Sequence, residues 1–175
     1  PRGVQIEALY ELEKSRKEGA EKGIVHAATG IGKTYLAAFD SLPYKRILFV
    51  AHREEILRQA AEAFHNVRPD DSYGFFTGDK KDADADLLFA SVASLGKEEV
   101  LKRKFSPDSF EYIVMDECHH STADQYQKIL DFFHPAYLLG LTATPERMDG
   151  RSVYELYDFE VPYEITLKEA VNRGV

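Results

Sequence analysis

"HAATGIGKTYLAAF", His26–Phe39, sets two glycines, a lysine and a threonine between one apolar run and the next. The residues in the middle bury almost nothing, so the interruption is either a glycine-containing turn or a loop that holds a phosphate. The second alternative has a specific chemistry. Gly30 and Gly32 let the backbone turn tightly with its amide hydrogens aimed at one point. Lys33 can then reach the β- and γ-phosphates of a nucleotide, and the Thr34 hydroxyl can hold Mg²⁺. A helix starting near Lys33 would add its positive N-terminal end. Against the full pattern G-x-x-x-x-G-K-[ST], Ala27 stands at the first glycine position, so the match is near rather than complete. The candidate nucleotide-binding residues here are Thr29, Gly30, Ile31, Gly32, Lys33 and Thr34.

Around this loop, short apolar runs alternate with helix-like segments. Gly23–Ala27, Arg46–Ala51, Tyr73–Phe76, Asp86–Ala90, Tyr112–Asp116 and Tyr137–Thr142 are predicted strands. Most are continuous rather than alternating in polarity, as in strands covered on both faces. Between them, "TYLAAFDSL", "REEILRQAAEAFH", "GKEEVLKRK" and "TADQYQKILDFF" carry apolar residues at helical spacing; in the second, Ile56, Leu57, Ala60, Ala63 and Phe64 form one stripe. "VQIEALYELEKSRKEG" predicts an opening helix. The β-α alternation predicts an α/β fold, a mostly parallel sheet with helices on both faces. Such sheets place ligands at the C-terminal ends of their strands.

At 175 residues the chain is long enough for one domain with a sizeable core. Hydrophobic residues make up 44% and charged residues 30%, which excludes a disordered chain. No window approaches the apolar length of a membrane span, and the N-terminus lacks the layout of a signal peptide. Cys118 is the only cysteine, which predicts a reducing, intracellular and cytoplasmic setting. The histidines and the cysteine show no metal-ligand spacing. A formal net charge of −8 argues against a small basic nucleic-acid-binding module. It leaves room for a protein that grips a backbone locally through loops and helix N-termini. Asp70, Asp71, Asp79, Asp82, Asp84 and Asp86 are expected in solvated loops.

"YIVMDECHH", Tyr112–His120, ends an apolar strand in Asp116 and Glu117. This acid pair is predicted at the same end of the sheet as the phosphate loop, on an adjacent edge. There Asp116 suits the holding of Mg²⁺, and Glu117 suits activation of the attacking water. The bland alternative is a strand-terminal acid pair in a solvated loop.

In this order, "ATGIGKT", "VAHREEIL", "DECHH" and "LTATPERMDG" resemble the helicase motifs of superfamily 2, in the branch shared by type I and type III restriction-enzyme motor subunits and DNA translocases. The resemblance covers roughly Arg2 to Arg151 and implies a RecA-like phosphate-loop domain, the first of two in such a motor. It implies ATP and Mg²⁺ as cofactors, with Lys33, Asp116 and Glu117 catalytic and Thr34 and Asp116 on the metal. Arg2 and Gln5 match positions that recognise adenine in this family, although Gly3 and Val4 replace the usual proline and aromatic. Thr142, Ala143 and Thr144 resemble the motif that links ATP state to nucleic-acid grip, with His119 as a link from "DECH". "AHRE", "TGD" and "ASVASL" resemble segments that touch a nucleic-acid backbone, which makes His52, Arg53, Thr77, Gly78 and Ser91 candidates.

Some of these residues have simpler alternatives. Arg53 either meets a backbone phosphate or opens a helix on its solvent side. His119 and His120 could be a packed and a surface histidine, Cys118 suits a small buried filler, and Lys80 and Lys81 suit a solvated turn. The expected organisation is a RecA-like ATP-binding domain over 1–151, followed over 152–175 by an extension or linker. That extension, expected to hold a helix, a short strand and a helix start, would lead to a second RecA-like domain; the chain is expected to be a piece of something longer. The expected function is the ATP-binding motor domain of a helicase or translocase, with nucleic acid, duplex DNA in particular, as partner. The isolated domain is expected to be a poor ATPase, because arginines from the second domain are missing. The alternative is a nucleotide-sensing module without a motor cycle.

Overall fold

Among the described residues, the apolar runs that alternate with helices become strands of a seven-stranded sheet in which every pairing is parallel. The computed structural model describes residues 3–26, 30–116, 123–142 and 164–166. In chain order these are α1 (Gly3–Lys17), β1 (Lys22–His26), α2 (Gly30–Asp40), β2 (Ile47–Ala51), α3 (Glu54–Val67), β3 (Tyr73–Phe76), β4 (Leu87–Ser91), α4 (Val92–Leu95), α5 (Glu98–Lys104), β5 (Tyr112–Asp116), α6 (Ala123–Phe132), β6 (Tyr137–Thr142) and β7 (Glu164–Thr166). Across the sheet the order is β3-β4-β2-β5-β6-β1-β7.

Successive residues of a strand point to opposite faces, and here both faces are apolar. Phe49, Leu87, Phe89, Val114, Leu139 and Leu141 face one layer, where they pack with Leu12, Leu36, Leu57 and Phe64 of α1, α2 and α3. Leu48, Val50, Leu88, Ile113 and Met115 face the other, with Leu95, Leu101, Tyr126 and Ile129 of α4, α5 and α6. Burial on both sides explains why β2, β4 and β5 are continuous apolar runs, whereas edge strand β3 leaves Tyr73 exposed. In the first layer the rings of Phe49, Phe64 and Phe89 meet at 5.6–6.0 Å between centroids. Such ring pairs contribute about 0.5–1.5 kcal/mol each beyond their burial.

Local chemistry sets the helix bounds. α3 carries Glu54 and Glu55 in its first turn, opposite in sign to the positive end of the helix, and buries Leu57, Ala60, Ala61, Ala63 and Phe64. It stops at Arg68, whose guanidinium donates to the carbonyls of Ser41 and Tyr44 at 2.8 and 2.6 Å and pairs with Asp71 at 2.6 Å. Arg46 performs a similar service before β2, donating to the carbonyls of Ser109, Ala83 and Ala85.

The structure differs from the sequence-based expectations in three respects. α2 begins at Gly30, before the expected start near Lys33, because the glycines join the helix rather than precede it. β1 and β5 are not adjacent: β6 lies between them and pairs with both. "ASVASL" contains a one-turn helix, α4, whose N-cap is Ser91. In the segment beyond residue 151, Glu164–Thr166 pairs with Ile24–His26 and extends the sheet. Among the described residues no helix is long and apolar enough to cross a membrane.

Candidate functional site

Because all the strands are parallel, their C-terminal ends form one rim, and every described candidate except Gln5, which reaches it from α1, follows one of those ends. Across the sheet, Thr77 and Gly78 follow β3, Ser91 ends β4, His52 and Arg53 follow β2, Asp116 ends β5, Thr142 ends β6, and β1 leads into α2. The rim thus divides into a β3-β4-β2 side and a β5-β6-β1 side.

On the second side, Lys33 and Asp116 are both 3% exposed, and Lys33 Nζ lies 3.1 Å from Asp116 Oδ1. Lys33 stands in the first turn of α2 and Asp116 at the last position of β5, so the ion pair spans β6. A buried ammonium–carboxylate pair is costly to desolvate and adds little stability for its own sake. Thr34 is half-buried beside Lys33. A second helix supports this turn: Gln5 Nε2 of α1 donates to the Gly32 carbonyl at 3.1 Å. Asp116 is also held through its backbone, since the Tyr126 hydroxyl of α6 donates to the Asp116 carbonyl at 2.8 Å.

The far end of α2 is fixed by a buried polar cluster. Asp40, its last residue, accepts from Arg16 Nη1 and Nη2 at 2.8 and 2.6 Å and from the Tyr112 hydroxyl at 2.6 Å. Arg16 ends α1, pairs also with Glu13 at 2.9 Å, and lies 4.6 Å from the centre of the Tyr137 ring, which stacks on Tyr112. Burial pulls the Arg16 pKa down, but the Asp40 carboxylate outweighs it and the net shift is upward. Burial, reinforced by Asp40, raises the Tyr112 hydroxyl well above its ordinary value, and burial pushes Tyr137 up to about 12. α1 and α2 are therefore joined at both ends, by Gln5–Gly32 near the rim and Arg16–Asp40 away from it.

On the β3-β4-β2 side the candidates have different surroundings. Thr77 is 3% exposed; its amide donates to the Lys80 carbonyl and its own carbonyl accepts from Lys81 Nζ. The Ser91 hydroxyl accepts from the Ser94 amide at 3.2 Å as the cap of α4. His52 is half-buried. Arg53 is the N-cap of α3, exposed, and pairs with Glu55 at 3.0 Å. Gly78 is exposed, with open space where a Cβ would stand. Arg53 and Gly78 are thus the two of these five that combine exposure with a place on the rim.

Gly30 and Ile31 open α2. Arg2, Thr29, Glu117, His119, Ala143 and Thr144 lie outside the described residues, as do Cys118, His120 and the side chain of Thr142. Sequence inspection missed Tyr126 and the Arg16–Asp40–Tyr112 cluster, and no local pattern marks either. The Ser91 cap did leave a trace, since serine is among the residues favoured just before a helix starts.

The family model described as "Type III restriction enzyme, res subunit" matches residues 1–147. The chain belongs to this family. It is 29% identical over 99% of its length to the type I restriction enzyme EcoAI endonuclease subunit of Escherichia coli, of which it covers 23%. It is 31% identical over 87% of its length to a putative mitochondrial ATP-dependent helicase, irc3, of Schizosaccharomyces pombe, covering 27% of it. The chain spans about a quarter of the length of these relatives. Among solved structures, the nuclease-deletion mutant of the type ISP restriction-modification enzyme LlaGI, in complex with a DNA substrate mimic, superposes with a TM-score of 0.71 at 18% identity, over 99% of this chain and 20% of that one. The fold is RecA-like, and the family is one of superfamily 2 helicase-type domains.

Proposed function

We propose that this domain binds ATP with Mg²⁺ on the β5-β6-β1 side of its rim and, in the full-length protein, couples ATP hydrolysis to movement along DNA held on the β3-β4-β2 side. The observation that carries this is the buried Lys33–Asp116 pair, 3.1 Å apart at the mouth of a helix. A cation and a carboxylate meeting at the first turn of a helix, with a threonine next in the chain, fit a magnesium-bound triphosphate. Lys33 would leave Asp116 to donate to the phosphates, and Thr34 and Asp116 would hold the metal. When bound, Mg²⁺ supplies positive charge that neutralises the phosphate oxygens. Glu117 would take the proton of the attacking water. Thr29, Gly30, Ile31 and Gly32 would turn backbone amides to the phosphates, and Arg2 and Gln5 would select adenine. His119, Thr142, Ala143 and Thr144 would relay the nucleotide state towards His52, Arg53, Thr77, Gly78 and Ser91.

Support for DNA is the LlaGI likeness, a protein solved with a DNA substrate mimic. Residues 1–151 would form the ATP-binding unit, and 152–175 would lead towards a second RecA-like domain that supplies further arginines. A cytoplasmic setting accords with the lone cysteine. Isothermal titration should detect Mg·ADP or Mg·ATP binding that Lys33→Ala abolishes or greatly weakens, through loss of a charge-assisted phosphate contact. Equal affinity in wild type and mutant would sink the nucleotide site. In the full-length protein, Glu117→Gln should keep ATP binding and lose turnover. Duplex DNA should stimulate hydrolysis more than RNA; equal rates with duplex DNA, single-stranded DNA, RNA and no nucleic acid would leave a nucleotide sensor rather than a motor.

A further inference from the structure

Asp116 is gripped from both layers of the fold. Its carboxylate meets Lys33 of α2 on one side of the sheet, and its carbonyl accepts from the Tyr126 hydroxyl of α6 on the other, at 2.8 Å. Tyr126 is 0% exposed and packs in the same apolar cluster as Met115 and Ile129. α6 is itself wedged against α4, since Gly96, the C-cap of α4, leaves only 2.8 Å between a would-be Cβ and the Cβ of Gln125. A hydroxyl at this depth donates to the backbone carbonyl of the last residue of β5.

We propose that Tyr126 is a positioning residue for Asp116: it fixes the end of β5 and so the direction in which the Asp116 carboxylate faces Lys33 and the metal. The inference rests on the assignment of Asp116 as a magnesium-holding acid. Groups that orient a metal ligand from behind typically change metal affinity or activity by about 10–100-fold when removed. A phenylalanine at 126 keeps the ring in its apolar pocket and removes only the hydroxyl.

The test uses the full-length protein with Tyr126→Phe, and Ile129→Val as a matched lesion on the same helix. Calorimetry measures ADP affinity with and without Mg²⁺, and kinetics measure kcat, the KM for ATP and the Mg²⁺ concentration at half-maximal rate. For Tyr126→Phe, the Mg²⁺-dependent gain in ADP affinity should shrink roughly tenfold, and half-saturation by Mg²⁺ should rise by a similar factor. The metal-free ADP affinity should stay within about twofold, and Ile129→Val should lower the melting temperature without moving either Mg²⁺ readout. Unchanged Mg²⁺ dependence in Tyr126→Phe overturns the proposal, as does an equal shift in Ile129→Val, which would make the effect one of general loosening. Asp116→Asn is measured alongside. If that change leaves the Mg²⁺ dependence intact, the assignment of Asp116 to the metal has failed, rather than the role of Tyr126 alone.

Discussion

Lys33 and Asp116 were legible in the sequence because each sits in a local pattern, a lysine after two glycines and an acid after four apolar residues. Their meeting at 3.1 Å was inferable only through both patterns together. Tyr126 and Asp40 were not legible. The Tyr112–Asp40 bond joins residues 72 apart, and nothing near either announces the other. Gly23 is a further residue whose role only packing reveals. A Cβ there would run into the Tyr137 hydroxyl and come within 3.1 Å of Leu12 Cδ2, and the Tyr137 ring cannot retreat because it stacks on Tyr112. Gly23→Ala should therefore destabilise the domain by about 1–3 kcal/mol, the usual cost of overpacking. Urea unfolding would measure it, and a neutral result would mean that the ring moves aside.

At the scale of elements, the predicted strands stand within a residue of their observed bounds, because strands buried on both faces leave continuous apolar runs. α4 was missed for a physical reason: four residues cannot display a 3.6-residue period. The register of α1 against α2 was equally hidden, since it depends on contacts at the two helix ends. Asp40→Ala would leave the Arg16 guanidinium and the Tyr112 hydroxyl without their shared acceptor in a site where Asp40 is 3% exposed. The expected loss is about 3–5 kcal/mol. Glu13→Ala removes only the exposed arm of the same cluster and should cost at most about 1 kcal/mol. Chemical denaturation of the two variants compares them; similar losses would mean that Asp40 does not join the helices.

Over the whole molecule, sequence alternation predicted a parallel sheet but not its strand order, which depends on how crossovers skip strands. The insertion of β6 between β1 and β5 is the part that no motif encodes. The start of the sheet also gives the molecule an alkaline weakness. The folded state keeps Tyr137 protonated up to about 12, against 10.0 in the unfolded chain, and shifts Tyr112 in the same direction. The unfolded state therefore loses these protons first. The contribution of each tyrosine is fully present below about pH 10 and fades as pH rises through its folded value, at roughly 1.4 kcal/mol per pH unit per proton. Urea midpoints should fall above about pH 10, and Tyr137→Phe should make that fall shallower. Parallel slopes for the two proteins would show that Tyr137 does not titrate differently on folding.

The parallel sheet also gives the molecule an electrical polarity that its charge count hides. α2, α3 and α6 each begin beyond a strand's C-terminal end, so their axial dipoles point the same way out of the sheet. First-turn acids offset the positive start of α3 (Glu54, Glu55) and of α6 (Asp124), so the uncompensated charge, about half a unit, stands at the start of α2, on a chain whose formal charge is −8. An anion approaching the start of α2 meets a local dipole opposite in sign to the charge it feels at long range. Repulsion at a distance and attraction at contact would favour slow, selective capture over non-specific adhesion.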